Sequence, residues 1–155
     1  MVMNIMNNCG NNINASILVF PSTLKGLVPF YLADEILSVD NRISISVAIS
    51  ILLDVYSDET ISLRLVKCEG GNKFKGRELK KINLGDISEA SVKRKEIVVK
   101  SDEQISDEER YRLYYTFSIN NISIIGKGRY AVVLVKEAGN NHYVTLATYY
   151  FDVIE

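Results

Sequence analysis

Several residue types on which enzymes and cross-linked domains depend are scarce or absent in this sequence. It has no tryptophan, one histidine, His142, and two cysteines, Cys9 and Cys68. One histidine cannot supply a His-rich metal site within a single chain, and two thiols with one histidine make a poor zinc site. Two cysteines do not form a disulfide framework, and a pair of reduced thiols is typical of a cytosolic protein. The sequence therefore predicts no cofactor and no structural disulfide.

Long hydrophobic runs and an excess of one charge are also missing. No window approaches the roughly 18 apolar residues of a membrane-spanning helix. The N-terminal segment lacks a basic region followed by an apolar run, so it is not read as a secretory signal. The formal net charge of −1 gives no electrostatic reason to bind nucleic acid or an anionic membrane. The expectation is a cytoplasmic protein with neither a membrane nor a nucleic acid as its partner.

The motifs of common enzyme mechanisms are missing as well. The sequence has no G-x-S-x-G nucleophile elbow, and the glycines and lysines of residues 68–76 lack Walker spacing. Residues 101–109 contain five carboxylates without the alternating spacing and central glycine of a calcium loop. A solvated acidic loop is the favoured interpretation of that segment, and a calcium site of the kind found in C2 domains is the alternative. The sequence thus predicts a protein that is not an enzyme.

A two-residue hydrophobic period is the strongest positive signal in the chain. In residues 43–56 one face of a strand would consist of Ile43, Ile45, Val47, Ile49, Ile51, Leu53 and Val55. Serines and an alanine occupy the opposite face, and a helix would scatter the isoleucines around its circumference. Weaker versions of the pattern predict further strands at 13–20, 60–68, 77–84, 91–100, 110–119, 128–137 and 143–153.

The remaining segments show other patterns. Residues 1–12 are rich in asparagine and methionine without a period, which indicates a flexible tail before a single domain over 13–155. Residues 29–38 place apolar side chains at helical spacing after Pro29, which predicts a short helix, with a loop across the core as the alternative. The lysine-rich strands 77–84 and 91–100 suit the edges of sheets. If those two strands pair, their basic residues adjoin.

The only histidine lies between the last two predicted strands. Residues 131–135 are apolar on both faces, as in a central strand, and residues 143–153 alternate in phase from Tyr143 to Val153. Between them, residues 138–141 (AGNN) form a turn sequence that tolerates positive φ. His142 is therefore interpreted as a polar residue at the end of a hairpin turn, and not as a catalytic residue.

Seven or eight strands, frequent turn signals and at most one helix predict an all-β fold, an antiparallel β-sandwich. The segments GRYAVVLV and TLATYYFDV resemble the last two strands of bacterial immunoglobulin-like or C2-like sandwiches. The whole pattern over residues 13–153 also resembles a family of uncharacterised bacterial sandwich proteins. The resemblance implies a fold and no activity, because function does not follow from fold alone.

A binding surface can be proposed from the alternating direction of successive strands. If successive strands alternate in direction, the loops at 21–42, 69–76, 101–109 and 137–142 all leave one end of the sandwich, here called the loop pole. Loops presented by a rigid scaffold often carry function. The predicted binding residues on this pole are Lys73, Lys75, Arg77, Asn140, Asn141 and His142.

The sequence leaves several functions open. The first hypothesis is a non-enzymatic module that binds a protein partner, with a bacterial or phage accessory or defence role as its context. The second is a C2-like module that binds a ligand or calcium, and the third is an enzyme of an unfamiliar type. Homo-oligomers are compatible with all three, because nothing in the sequence fixes the oligomeric state.

Overall fold

The computed structural model describes residues 2–4, 15–21, 34–54, 60–70, 72–84, 91–98, 109–137 and 143–155. These residues form an all-β fold, as predicted, and no described residue lies in an α-helix. The ten strands are β1 (Val2–Asn4), β2 (Ala15–Pro21), β3 (Glu35–Leu37), β4 (Arg42–Asp54), β5 (Thr60–Glu69), β6 (Asn72–Asn83), β7 (Ser91–Val98), β8 (Glu109–Ser123), β9 (Gly128–Glu137) and β10 (Tyr143–Ile154).

The strands form two sheets that pack face to face. Sheet A has the order β1-β6-β5-β9-β10-β3, and sheet B has the order β2-β4-β8-β7. Every pairing is antiparallel except that of β3 with β10, which is parallel. All eight predicted strands are present, as β2 and β4 to β10, and both sheets contribute side chains to one core.

Two segments differ from the sequence prediction. The predicted helix at 29–38 is wrong for Glu35–Leu37, which forms β3, while residues 29–33 lie outside the described residues. An isolated helix of ten residues is marginal, whereas the edge of β10 supplies hydrogen bonds to Asp34 and Ser38. The predicted tail over 1–12 contains a strand at Val2–Asn4, which pairs with β6, and residues 5–12 lie outside the described residues.

The core face of β4 confirms the two-residue period. Its inward side chains over 43–51 are all at most 2% exposed, whereas the intervening serines and alanine are half-buried. On β8, Asn121 takes a positive φ of 54° and donates its N–H to Ser44 Oγ at 3.1 Å. The pairing register shifts at this point, opposite the Ile43/Ile45 step, so that Ile119 and Ile122 both face the core.

The central strand β9 is buried on both faces, as its apolar composition predicts. Its even-numbered apolar residues belong to the core between the sheets. Its odd-numbered residues, Ala131, Val133 and Val135, form a second cluster with Val66 on the opposite, outer face of sheet A. Each of these four is fully buried.

A β-bulge interrupts β10 and changes its phase. The register shifts between Thr145 and Ala147, so Leu146 is the extra residue. Ala147, Tyr149, Phe151 and Val153 face the core, but Tyr143 and Thr145 lie on the outer face of sheet A. The prediction that all the alternate residues from Tyr143 to Val153 share one face is therefore wrong.

A hydrogen-bonded corner joins β8 of sheet B to β9 of sheet A. The hydroxyl of Tyr130 donates to the carbonyl oxygen of Gly126 at 2.7 Å and accepts from the N–H of Ile125 at 3.1 Å. Lys67 Nζ donates to the carbonyl oxygen of Ile125 and lies 5.7 Å from the centre of the Tyr130 ring. A single buried tyrosine thus fixes the short connection over which the chain changes sheets.

Candidate interaction surfaces

The two poles of the sandwich are defined by the register of β5 and β9. Thr60 lies opposite Glu137, whereas Lys67 lies opposite Tyr130. The end with the β5–β6 turn, the start of β4 and the start of β9 is called the Gly70 pole. The end with the start of β5, the end of β9 and the start of β10 is called the Glu137 pole.

The predicted loop pole is wrong, because the strand ends that flank its loops divide between the two ends. The end of β2, the start of β4 and the adjoining ends of β5 and β6 lie at the Gly70 pole, whereas the strand ends that flank 138–142 lie at the Glu137 pole. The strand ends that flank the acidic segment are also at the Glu137 pole, since Val98 pairs with Glu109 and Asp54 with Arg110. The strand ends that flank the acidic segment and those that flank residues 138–142 therefore share a pole, whereas Lys75 and Arg77 lie towards the opposite one.

Contrary to the sequence prediction, the chain does not reverse direction at every connection between strands. Strict alternation would make β4 parallel to β8 and β5 parallel to β9, since each pair is four steps apart. Both pairs are antiparallel. The chain does reverse between β5 and β6 and between β7 and β8, since both pairs are antiparallel. If the chain keeps its direction only between β6 and β7, then β4 is antiparallel to β8 and β5 is antiparallel to β9, as observed.

Of the six predicted binding residues, three lie on a described strand and three lie outside the described residues. Lys73, Lys75 and Arg77 lie on β6, within a strand that pairs with β5 and β1, and not in a loop. Lys75 and Arg77 are exposed. Asn140, Asn141 and His142 lie outside the described residues. The hairpin that flanks them is confirmed by the antiparallel pairing of β9 with β10.

The basic strands β6 and β7 do not pair, since they belong to different sheets. They nevertheless lie on the same lateral side of the sandwich. β2 packs against β10 and β9, so the β7 end of sheet B lies over the β6 end of sheet A. Lys80 and Ile82 of β6 line a small cavity together with Ile119 and Ile122 of β8, the strand next to β7. We call this lateral side, β6 together with β7, the basic side.

An open cleft lies at the Gly70 pole, and we call it the edge cleft. Its volume is about 740 Å³, which is within the range of roughly 300–1,000 Å³ of small-molecule pockets. Its walls come from β3, β4, β10, the end of β2 and the turn between β3 and β4. The lining residues are Pro21, Glu35, Ile36, Leu37, Val39, Asp40, Arg42, Ile43, Ser44, Asn121 and Ile154.

Local sequence explains the shape of the edge cleft. Asp40 and Asn41 both take positive φ, of 52° and 54°, which is the conformation of a two-residue hairpin turn. Val39 and Arg42 bond to each other across this turn through their backbones, at 3.0 Å in both directions. The turn reverses the chain from β3 of sheet A into β4 of sheet B.

The edge cleft exposes an unusual row of apolar side chains. In the parallel pair of β3 with β10, Ile36 lies opposite Val153, and both are buried in the core. Leu37 lies opposite Ile154. Leu37 is 60% exposed, Val39 is 64% exposed and Ile154 is 40% exposed. Among the described strands, none pairs with the other edge of β3.

A charged network lies on the outer face of sheet A. The buried Arg64 donates to Glu78 Oε2 at 2.9 Å and to Glu137, and its guanidinium lies 5.5 Å from the ring centre of Tyr143. Lys81 also binds Glu137, at 2.6 Å. The hydrogen bond from Lys81 lowers the pKa of the Glu137 carboxyl most; burial opposes it, and Arg64 lowers the pKa further. The network links β5, β6, β9 and β10, and we interpret it as structural.

The described residues offer little reactive chemistry. None of them form a group of three or more histidine, cysteine or acidic side chains that could hold a metal ion. Burial raises the pKa of the half-buried Cys68 thiol, whereas a nucleophilic cysteine needs a lowered pKa. In this part of the chain no helix is long and apolar enough to span a membrane.

Sequence reasoning missed the edge cleft, although one signal for it was present. The pair Asp40-Asn41 combines two residue types that tolerate positive φ, which predicts a tight turn between two strands. That turn would have identified residues 35–39 as a strand. The exposure of Leu37 and Val39 has no such signal, because it depends on which sheet edge β3 joins.

Comparisons with protein-family models, with curated proteins and with solved structures find no match to this chain.

Proposed function

We propose that this chain is an immunoglobulin-like sandwich. Its sheets, β2-β4-β8-β7 and β6-β5-β9-β10, correspond to strands A-B-E-D and C′-C-F-G of that fold. The corner at Tyr130 supports the assignment, because immunoglobulin-like domains have a tyrosine near the start of strand F whose hydroxyl also bonds to the backbone a few residues upstream. Val132 occupies the position of the second cysteine of antibody domains, so this sandwich lacks the bridge between sheets.

Within that fold, we propose that the protein is a non-enzymatic module that binds another protein through the edge cleft. The observation behind the proposal is the exposed row of Leu37, Val39 and Ile154. Exposed apolar side chains that border a concave surface are typical of protein-binding sites. The partner would insert an apolar side chain between β3 and the start of β4.

The rim of the edge cleft would give the contact its specificity. Asp40, Arg42 and Glu35 are exposed and line the cleft. Rim charges of both signs favour a partner with a complementary pattern, and they affect the association rate more than the affinity. The buried neighbour Ile36 holds this rim against the core.

A small-ligand module is the second candidate function. The volume of the edge cleft, about 740 Å³, would accommodate a small molecule as well as a side chain. Calcium binding in the manner of C2 domains depends on residues 101–108, which lie outside the described residues. A rise in melting temperature on addition of Ca²⁺, or of a small molecule from a metabolite library, would favour this candidate.

The proposal also includes a cellular location and a biological role. A cytoplasmic location fits the free thiol of Cys68. An accessory or defence-related role in a bacterium or phage fits a small protein whose only proposed activity is binding a partner.

The test is affinity capture from native cell extract with three baits. The wild type is compared with Leu37→Glu in the edge cleft and with Leu18→Glu on β2. Leu18 is 40% exposed and does not line the cleft, so it is the matched control. We expect a stoichiometric partner that binds the wild type and Leu18→Glu but not Leu37→Glu. If Leu37→Glu retains the partner, or if no bait captures any, the proposal is wrong.

A further inference from the structure

The distribution of charge between strands sets the basic side apart from the rest of the chain. β6 contains five basic residues and one acidic residue, and β7 contains three and one. The two strands therefore have a formal charge of +6, in a chain whose net charge is −1. The remainder of the chain has a formal charge of −7, so these two strands carry a concentration of positive charge.

The described part of β6 presents its cations to solvent. Lys75, Arg77 and Lys80 are exposed, and no ion pair between them and a described carboxylate is found. Lys80 lines the small cavity between the sheets, so its side chain is directed towards sheet B. Lys81 differs, because it binds Glu137 within the Arg64 network. Three cations on one strand are therefore available to a partner.

β7 adds a second feature, an open edge. It is eight residues long, and among the described strands it pairs with β8 alone. The outer edge of such a strand has backbone N–H and C=O groups that another strand can satisfy. Lysines on an edge discourage pairing between two copies of the same protein, because like charges would face each other. The basic composition of β7 would favour an added strand that is acidic.

We propose that the basic side binds an extended acidic segment of another polypeptide, which adds as a strand to the open edge of β7. Main-chain hydrogen bonds would supply affinity, and the cations of β6 and β7 would select carboxylates. A nucleic acid could use the positive charge, but it cannot pair with the backbone edge. The surface is separate from the edge cleft, so this proposal does not depend on the function proposed for that cleft.

The test measures binding of a fluorescent eight-residue peptide, Glu-Val-Glu-Thr-Glu-Val-Glu-Thr, to the full chain by fluorescence anisotropy. Two probes of similar charge serve as comparisons, the same peptide with every amide N-methylated and an oligo-dT strand. We expect the first peptide to bind at least about tenfold more tightly than the N-methylated one, with an affinity that falls as salt rises. Equal binding of the N-methylated peptide or of oligo-dT would overturn the proposal, and so would the absence of peptide binding.

Protein variants locate the site. Lys80→Glu and Arg77→Glu should each weaken peptide binding severalfold, whereas Lys127→Glu should not. Lys127 is an exposed lysine at the corner between β8 and β9, so this control makes the same charge change elsewhere. All three residues are exposed, and melting curves would verify that each variant folds. Equal loss for Lys127→Glu would show a general charge effect and would refute the site, and Leu37→Glu should leave peptide binding unchanged.

Discussion

Removing one hydroxyl, in Tyr130→Phe, tests the corner that connects the two sheets. The side chain is fully buried, and its ring lies 6.1 Å from the ring of Phe151. Phenylalanine keeps this contact and the proximity of Lys67 to the ring. What the variant loses is the bond to the carbonyl oxygen of Gly126 and the bond from the N–H of Ile125. The substitution therefore isolates the two hydrogen bonds.

The expected loss follows from these two bonds. Each intramolecular hydrogen bond contributes about 0.5–1.5 kcal/mol net, and leaving a buried partner unpaired costs more. Ile125 is 45% exposed, so water can satisfy part of the loss. We expect the free energy of unfolding to fall by about 1–2 kcal/mol. For a chain of this length that corresponds to a drop in Tm of roughly 2–8 °C.

The assay is urea-induced unfolding, with Tyr115→Phe as the control. Tyr115 is a half-buried tyrosine on β8, and its variant should change the free energy of unfolding by less than about 0.5 kcal/mol. If Tyr130→Phe is as stable as the wild type, the corner does not hold the sheets as described. If both variants lose the same amount, the effect is not specific to the corner.

The pH dependence of Tyr130→Phe gives an independent signature. Burial raises the pKa of Tyr130, and the bond from Ile125 opposes this more weakly. The native state therefore keeps the phenol proton to higher pH than the unfolded chain does. This contribution to stability is complete below the ordinary pKa of about 10 and is lost as the pH rises above it. The wild type should lose stability more steeply than Tyr130→Phe above pH ~10.

Four further substitutions test other parts of the fold by urea-induced unfolding. A Cβ at Gly76 would lie 2.1 Å from Val66 Cγ1, so Gly76→Ala should lower the free energy of unfolding by about 1–3 kcal/mol. Gly70 has a φ of +57° and open space around it, so its control variant, Gly70→Asn, should lower the free energy of unfolding by less than about 1 kcal/mol. Val133→Ala should cost about 2–3 kcal/mol if the outer face of sheet A is as well packed as the core, and a loss below about 0.5 kcal/mol would contradict that. Because the pKa of Glu137 is lowered, its stabilising effect is complete above the ordinary pKa of about 4.3 and is lost as the pH falls below it. Glu137→Gln should therefore be less stable at neutral pH but lose less stability on acidification, and an unchanged acid slope would refute the role of its ion pairs.

Local sequence signals were sufficient for the strands with a continuous two-residue period. Ile45, Val47 and Ile49 share one buried face because a strand of that pattern has only one way to bury them. The apolar run over 131–135 predicted a strand buried on both sides, and β9 is one. These features depend on contacts that any partner strand would satisfy, so the sequence alone predicts them.

Features that depend on a particular partner were not predicted. The bulge at Leu146 reverses the phase of β10, and the pattern of the strand gives no sign of it. β3 exists because the edge of β10 is open beside it, and β1 exists because the edge of β6 is. Three residues are too few for a periodic signal, so such strands are evident only in the assembled sheet.

The candidate surfaces also combine features that local sequence predicts with features that depend on how the strands assemble. The sequence identified the basic residues of β6, of which Lys75 and Arg77 are exposed. It placed them at the same end of the sandwich as the end of β9 and the start of β10, whereas they lie towards the opposite end, because one connection, β6 to β7, does not reverse the chain. No local signal in the sequence marks that connection. The edge cleft was missed altogether, since it forms where β3, β4 and β10 meet.

Hydrogen–deuterium exchange of the captured complex tests whether a partner protein covers the edge cleft. Exchange at each amide is compared with that of the free protein. If a partner covers the cleft, we expect slower exchange over residues 34–42 and 152–155, which border it, and no change over β5 and β9 in the core. Protection confined to residues flanking the Glu137 pole, such as 136–137 and 143–145, with none at 34–42, would contradict it.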